Sequence, residues 1–117
     1  INDLSADKLK NSERMREILD YIHCNYSSSL TLDDMAQKFY FSRGYFSSFF
    51  KKYTGKTFKT YLTEVRILHA ESMLKDTDNS ISQIAQDTGF NDERRLIETF
   101  KKYYHITPGN FRKKEKL

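Results

Sequence analysis

The sequence predicts an all-α fold of about seven helices, with two helix-turn-helix subdomains joined by a long central helix. Three observations carry that expectation. One proline, Pro108, and four glycines punctuate 117 residues, and no alternating apolar–polar run of a half-buried strand persists. Apolar residues recur instead at three- and four-residue spacing, the mark of a helix buried along one face. One segment is also written twice: Phe50-Lys51-Lys52-Tyr53 returns as Phe100-Lys101-Lys102-Tyr103, Thr57 as Thr107, and Tyr61 as the aromatic Phe111.

Met15, Ile18, Leu19, Ile22 and Tyr26 place a first helix over about residues 10–26, and Ser27, Ser28 and Ser29 break it. Thr31 opens a capping box with Asp34, and the short helix behind it carries Leu32, Met35, Ala36 and Phe39. The next helix begins near Ser42 and sets Phe46, Phe49, Phe50 and Tyr53 on one face. It stops at Gly55, a residue suited to the left-handed conformation past a helix end. Thr57 caps a longer helix over about residues 58–75, which ends in a turn-rich stretch from Lys75 to Ser80. Then the pattern restarts. Ser80 and Gln83 form a second capping box, and Ile81, Ile84 and Ala85 echo Leu32, Met35 and Ala36. A turn through Gly89 leads to a helix from about Asp92 with Leu96, Thr99, Phe100 and Tyr103 inward. Thr107, with Pro108 at the first helical position, starts a last short helix through Phe111. The second turn holds one residue more than the first. Each copy is a helix, a tight turn and a second helix.

Composition bounds the function. With 38% hydrophobic and 15% aromatic residues the chain buries a real core, as one domain or as two very small subdomains sharing it. No apolar run approaches the ~18 residues that span a bilayer, so no membrane partner is expected, and the polar N-terminus shows no signal peptide. Cys24 is the single cysteine, which precludes an intrachain disulfide and fits a reducing cytoplasm. A net charge of +4 permits a nucleic-acid partner without requiring one. An enzyme is not expected, because there is no Gly-rich phosphate loop, nucleophile motif or metal-ligand spacing. His23, His69 and His105 are scattered, and the adjacent His23 and Cys24 point to different sides of their helix. No metal or other cofactor is expected. The missing initiator Met suggests a fragment of a longer protein.

Three stretches, SLTLDDMAQKFYFSRGYFSSFFKKYTGKTFKTYL, RILHAESML and SISQIAQDTGFNDERRLIETFKKYYHITPGNFRK, resemble the DNA-binding domain of the AraC/XylS family of bacterial transcription regulators. That family's closing signature is met at Ile84-Ala85, Gly89-Phe90, Phe100 to Lys102, Thr107-Pro108 and Phe111-Arg112. The resemblance implies sequence-specific binding of double-stranded DNA, with one recognition helix per motif in successive major grooves, and regulation of transcription, most often activation. It implies RNA polymerase as a second partner. Family members often carry a sensing or dimerising domain before this one, so the fragment is expected to be monomeric and the whole protein able to dimerise through a missing domain. The expected organisation is a linker remnant at 1–9, the AraC-type domain at 10–113 and a tail at 114–117. Within the domain the first motif takes about 31–54, the linker helix about 58–75 and the second motif about 80–104. The linker helix, roughly 25 Å long at 1.5 Å per residue, suits the ~34 Å separation of successive groove faces. Three positions depart from the family. His105 replaces a usual glycine and is expected in a strained left-handed conformation; Arg94-Arg95-Leu96 stands where a small residue and Tyr-Phe are common; and Glu98 stands where a basic or polar residue is common.

Geometry selects the residues that can meet DNA. At 100° per residue, with the core face fixed on Phe46, Phe49, Phe50 and Tyr53, the first motif turns Gly44, Ser47, Ser48 and Lys51 outward. Ser42 and Arg43 stand at the helix start and Lys52 at its flank. In the second motif Arg94, Ile97, Glu98 and Lys101 point outward, flanked by Asp92, Glu93, Arg95 and Lys102. Arg94 and Arg95 can fork onto guanine, Ser47 and Ser48 can bond to several bases, Ile97 can touch a thymine methyl, and Glu98 can accept from cytosine. Gly44 suits close backbone approach. Plainer readings stand beside these. The lysine pairs also suit a solvated surface, Arg66 suits either a phosphate or an ion pair with Glu64 or Glu71, and Arg112-Lys113-Lys114 suits a soluble tail. A helical protein-interaction module without DNA binding is the alternative function. RNA is a poorer partner, since the outward faces show no aromatics for single-strand stacking.

Overall fold

The computed structural model describes the backbone of residues 3–116 and the side chains of residues 6–116. The described residues form seven helices and no strand: α1 (Asp3–Asn25), α2 (Leu32–Lys38), α3 (Arg43–Thr54), α4 (Phe58–Asp76), α5 (Ile81–Asp87), α6 (Glu93–Tyr104) and α7 (Pro108–Glu115). The all-α expectation holds. α1 starts well before its apolar spacing does, because Ala6, Lys8 and Leu9 are good helix formers. Leu9 is 64% exposed, so that stretch is helical by propensity and not by burial.

The chain divides into two compact units, one of residues 1–25 and 30–61, the other of residues 26–29 and 62–117. The first holds α1, α2, α3 and the first turn of α4. Its buried residues are Met15, Ile18 and Ile22 of α1, Met35 and Ala36 of α2, Phe46, Phe49 and Phe50 of α3, and Phe58. Phe46 and Phe50 are wholly buried, with the Phe58 ring edge-on to both, 6.0 and 5.8 Å away. A buried ring of that size stabilises by about 1.5–3 kcal/mol through transfer from water alone. Arg14 closes the end of α2 by donating from Nη2 to the Phe39 carbonyl at 2.6 Å, its guanidinium 4.3 Å from the centre of the Phe41 ring.

The second unit buries Ile67, Ala70 and Leu74 of α4 against Ile84, Ala85, Phe90, Leu96 and Phe100, with Tyr104, Ile106 and Phe111 packed around them. The sequence repeat is broken here. Tyr103, expected inward, is at the surface, and Tyr104 takes the inner place, 4.6 Å from Phe100. The cause lies one turn back. Tyr53 leans on Phe49 at 4.9 Å, whereas the residue one turn before Tyr103 is Thr99, which offers no ring. Tyr104 has Phe100 at that spacing, and its hydroxyl donates to Glu71 Oε1 at 3.1 Å. Burial and that bond push its pKa up to about 12.

The helix ends follow local chemistry. Thr31 and Asp34 form the expected capping box. Ser80 accepts from the Gln83 amide at 3.0 Å, but the Gln83 side chain turns away to donate to Asp87 Oδ1 at 2.9 Å. In the box its Oε1 would accept from the Ser80 amide; with its Nε2 drawn one turn along to the charged Asp87, the expected second box is only half made. After α2, Tyr40 takes φ 62°; its amide bonds to Gln37 and that of Phe41 to Ala36, the paired bonds of a Schellman end. After α5, Gly89 takes φ 89° and Asn91 φ 63°, and the Asn91 amide bonds to Ala85, so the longer turn needs two left-handed residues. Gly55 and His105 end α3 and α6 in the same conformation, His105 at φ 60°, as its place in the sequence predicts.

Two arginines prove architectural. Arg66 is bonded to backbone carbonyls within the fold. Its Nε donates to the Tyr26 carbonyl at 2.7 Å and its Nη2 to that of Ser28 at 2.8 Å, fixing the segment after α1 against α4. Arg112 is no part of a free tail. It donates to the carbonyls of Leu74 and Thr77, two of the orphan acceptors that a helix C-terminus leaves.

Candidate nucleic-acid interface

α3 is set by its cap and its rings. Ser42 is the N-cap, its hydroxyl accepting from the Tyr45 amide at 3.2 Å, and the three buried phenylalanines fix which side faces the core. Ser42, Arg43, Gly44, Ser47, Ser48, Lys51 and Lys52 are consequently all exposed. A Cβ at Gly44 would meet no atom within 4 Å. Nothing in the fold demands glycine there, and its effect is to leave the face flat. Arg43 Nε lies 3.3 Å from Asp33 Oδ1 across the turn, an exposed pair that water weakens. α3 itself carries Arg43, Lys51 and Lys52 and no carboxylate.

α6 is differently equipped. Asp92 is its N-cap, accepting from the Arg94 amide at 2.9 Å. Glu93, Arg94, Arg95, Glu98, Lys101 and Lys102 are exposed. Ile97, expected to point fully outward, is half-buried and shares a shallow depression with Asp92, Glu93, Arg94 and Glu98. Arg94 Nε donates to Glu98 Oε1 at 2.8 Å. That bond, with the charges of Glu98 and Asp92, holds the proton on Arg94 more firmly than usual. The helix therefore presents its arginine already partnered by its own carboxylate. Lys101 and Lys102 lie in its last turn.

Sequence reasoning missed two surface aromatics. Tyr40 is 93% exposed and Tyr45 55%, which corrects the expectation that the outward faces lack them. The signal was available: Tyr40 occupies the left-handed place just past the short helix that Gly89 takes in the second copy. Among the described residues no cluster of histidine, cysteine and carboxylates is set to hold a metal ion, and no helix is long and apolar enough to cross a membrane.

Two helix-turn-helix motifs in one all-helical chain, each exposing a polar and basic second helix, define a DNA-binding regulator class. Residues 35–114 match a helix-turn-helix domain family. The C-terminal domain of the two-component response regulator yesN from Fusobacterium nucleatum is 36% identical; the match covers 84% of this chain and 96% of that one, with a TM-score of 0.81. The melibiose operon regulatory protein of Escherichia coli K12 is 36% identical over 97 residues, 83% of this chain and 32% of that protein. The DNA-binding domain of AdpA, solved with a target DNA, shares the fold at a TM-score of 0.82 and 23% identity, over 85% of this chain and 89% of that one. The chain belongs to the AraC/XylS-type helix-turn-helix family of transcription regulators. It spans 13% to 41% of the length of the curated relatives it matches.

Proposed function

We propose that this chain reads duplex DNA through α3 and α6, each in its own major-groove segment, and that its binding activates transcription through RNA polymerase in the bacterial cytoplasm. The reading assigns base contact to Ser47, Ser48, Arg94, Arg95, Ile97 and Glu98. Backbone contact falls to Ser42, Arg43, Lys51, Lys52, Lys101 and Lys102, with Gly44 allowing close approach and Asp92 and Glu93 shaping the entry of α6. The domain so used is residues 10–113, acting as a monomer when isolated. The observation that carries the proposal is the outer face of α3: small hydroxyl side chains, a glycine the fold does not need, and three cations with no carboxylate. Such a face suits the anionic groove, where hydroxyls meet base edges and cations meet phosphates. The AdpA domain, with the same fold, was solved on a target DNA, and this supports the same use here.

The test is selection of bound duplexes from a random pool, followed by titration at low and moderate salt. A DNA reader enriches one sequence and binds with a steep negative salt slope, near −0.9 per phosphate neutralised. Absence of any duplex binding at low salt would leave the interaction-module reading instead.

A further inference from the structure

We infer that Tyr40, with Tyr45 and Lys10 beside it, grips the sugar–phosphate backbone of duplex DNA at the edge of the groove that α3 enters; this rests on the reading of α3 given above. Tyr40 is the starting point because nothing in the fold explains it. Its ring is 93% exposed, so it contributes almost no burial. Its backbone sits at φ 62°, the left-handed region that a bulky side chain disfavours, and the second motif places Gly89 there. A large ring kept in a strained, solvent-facing place points to use by a partner.

The surroundings identify that partner. Tyr40 and Tyr45 line one open groove with Lys10, Asn11, Arg14 and Ser42, and Ser42 is the N-cap of α3. Tyr45 is held in place, 5.2 Å from Phe41 and 6.0 Å from Phe49, so little conformational entropy is lost when it is touched. Arg14 is pinned by the Phe39 carbonyl and the Phe41 ring but keeps its charge in the groove. Asp7 also lines it, and the two cations outweigh that single carboxylate. A tyrosine suits a nucleic-acid strand, its ring lying on deoxyribose and its hydroxyl donating to a phosphate. An acidic protein surface would be drawn by the same cations, but the N-terminus of α3 borders the groove, so a strand flanking the bound groove passes here.

The experiment uses Tyr40→Gly, which removes the ring while relieving the backbone, and Lys10→Gln, each measured by fluorescence anisotropy on the selected duplex and on an unrelated one. Tyr40→Gly should melt no lower than the parent yet bind both duplexes about tenfold more weakly, the worth of one hydrogen bond to a charged group. Its salt slope should match the parent's, because tyrosine releases no counterion, whereas Lys10→Gln should make the slope shallower by about one unit. Tyr40→Gly binding as tightly as the parent overturns the inference and leaves the reading of α3 standing. So does a loss confined to the selected duplex, which would make Tyr40 a base reader. Unchanged DNA binding with lost affinity for RNA polymerase would reassign the patch to a protein. A parent that binds no duplex at all removes the reading beneath it.

Discussion

Three side chains show how much one backbone position decides. A Cβ at Gly89 would lie 2.7 Å from the Tyr26 carbonyl oxygen and 2.8 Å from Arg66 Nε, at φ +89°, so alanine there both strains the chain and displaces the clamp that Arg66 makes. Gly89→Ala should destabilise by about 2–3 kcal/mol. His105 is the reverse case. It is exposed and left-handed, so His105→Gly should stabilise by about 0.5–1 kcal/mol, the left-handed cost less the added entropy of an unfolded glycine. Urea midpoints of the two variants should move in opposite directions, and movement in the same direction would contradict the account. Tyr104 makes a prediction in pH. Its folded pKa, about 12, lies above the ordinary tyrosine value of 10.0, so the folded chain holds this proton more tightly than the unfolded one. The corresponding stability is complete below pH 10 and is lost as pH rises toward 12. Tyr26 and Tyr61 are raised as well and act in the same sense. Tyr104→Phe should flatten part of the alkaline fall in the urea midpoint, and an identical fall in both proteins would mean that the bond to Glu71 has no weight. The left-handed His105 was readable from one departure in a familiar pattern. The arginine clamps were not, because Arg66 and Arg112 bond to carbonyls 35 to 40 residues distant, and no periodicity or composition records such partners.

Helices were the most readable features, since capping chemistry and apolar spacing are both local. Thr31, Ser42, Ser80, Asp92 and Thr107 each cap where the residue type says they should. What spacing could not supply was the choice between neighbours with similar claims. Tyr103 and Tyr104 differ only in which residue lies one turn behind, and Gln83 chose a carboxylate over its cap. The inner faces of α3 and α6 are equivalent where they matter most, at Phe50 and Phe100, both wholly buried. Phe50→Ala and Phe100→Ala should therefore each cost about 3–5 kcal/mol in thermal or urea unfolding; melts matching the parent would refute the assignment of both faces. The outer faces are not equivalent. Arg94 is bonded to Glu98 through Nε, which leaves its Nη donors for a base edge, so Arg94→Ala should weaken binding by about 1–3 kcal/mol while relaxing one or two base positions. Lys102→Ala should weaken all sequences alike. Affinity across a panel of single-base variants separates the two roles, and a uniform loss for Arg94→Ala would remove direct readout from α6.

Two motifs in one chain raise a question that neither answers alone: whether both engage DNA at once. A palindromic reader obtains its second half-site from a partner subunit. Here the second motif comes from the same chain with a different outer face, serines and no carboxylate on α3, paired arginine and glutamate on α6. A monomer using both should therefore protect an asymmetric site of about 16–20 base pairs, given ~10.5 per turn. Charge orders the two halves. α3 opposes no carboxylate of its own to phosphate, whereas α6 carries Glu93 and Glu98 and is capped by Asp92, so the α3 half should hold at salt concentrations that release the α6 half. Hydroxyl-radical footprints of the isolated chain on its selected duplex, taken through a salt series, read both points. Protection should shorten from one end as salt rises, and Arg94→Ala should bring that shortening to lower salt. Protection confined to a single groove segment even at low salt would mean that one motif reads while the other only completes the fold.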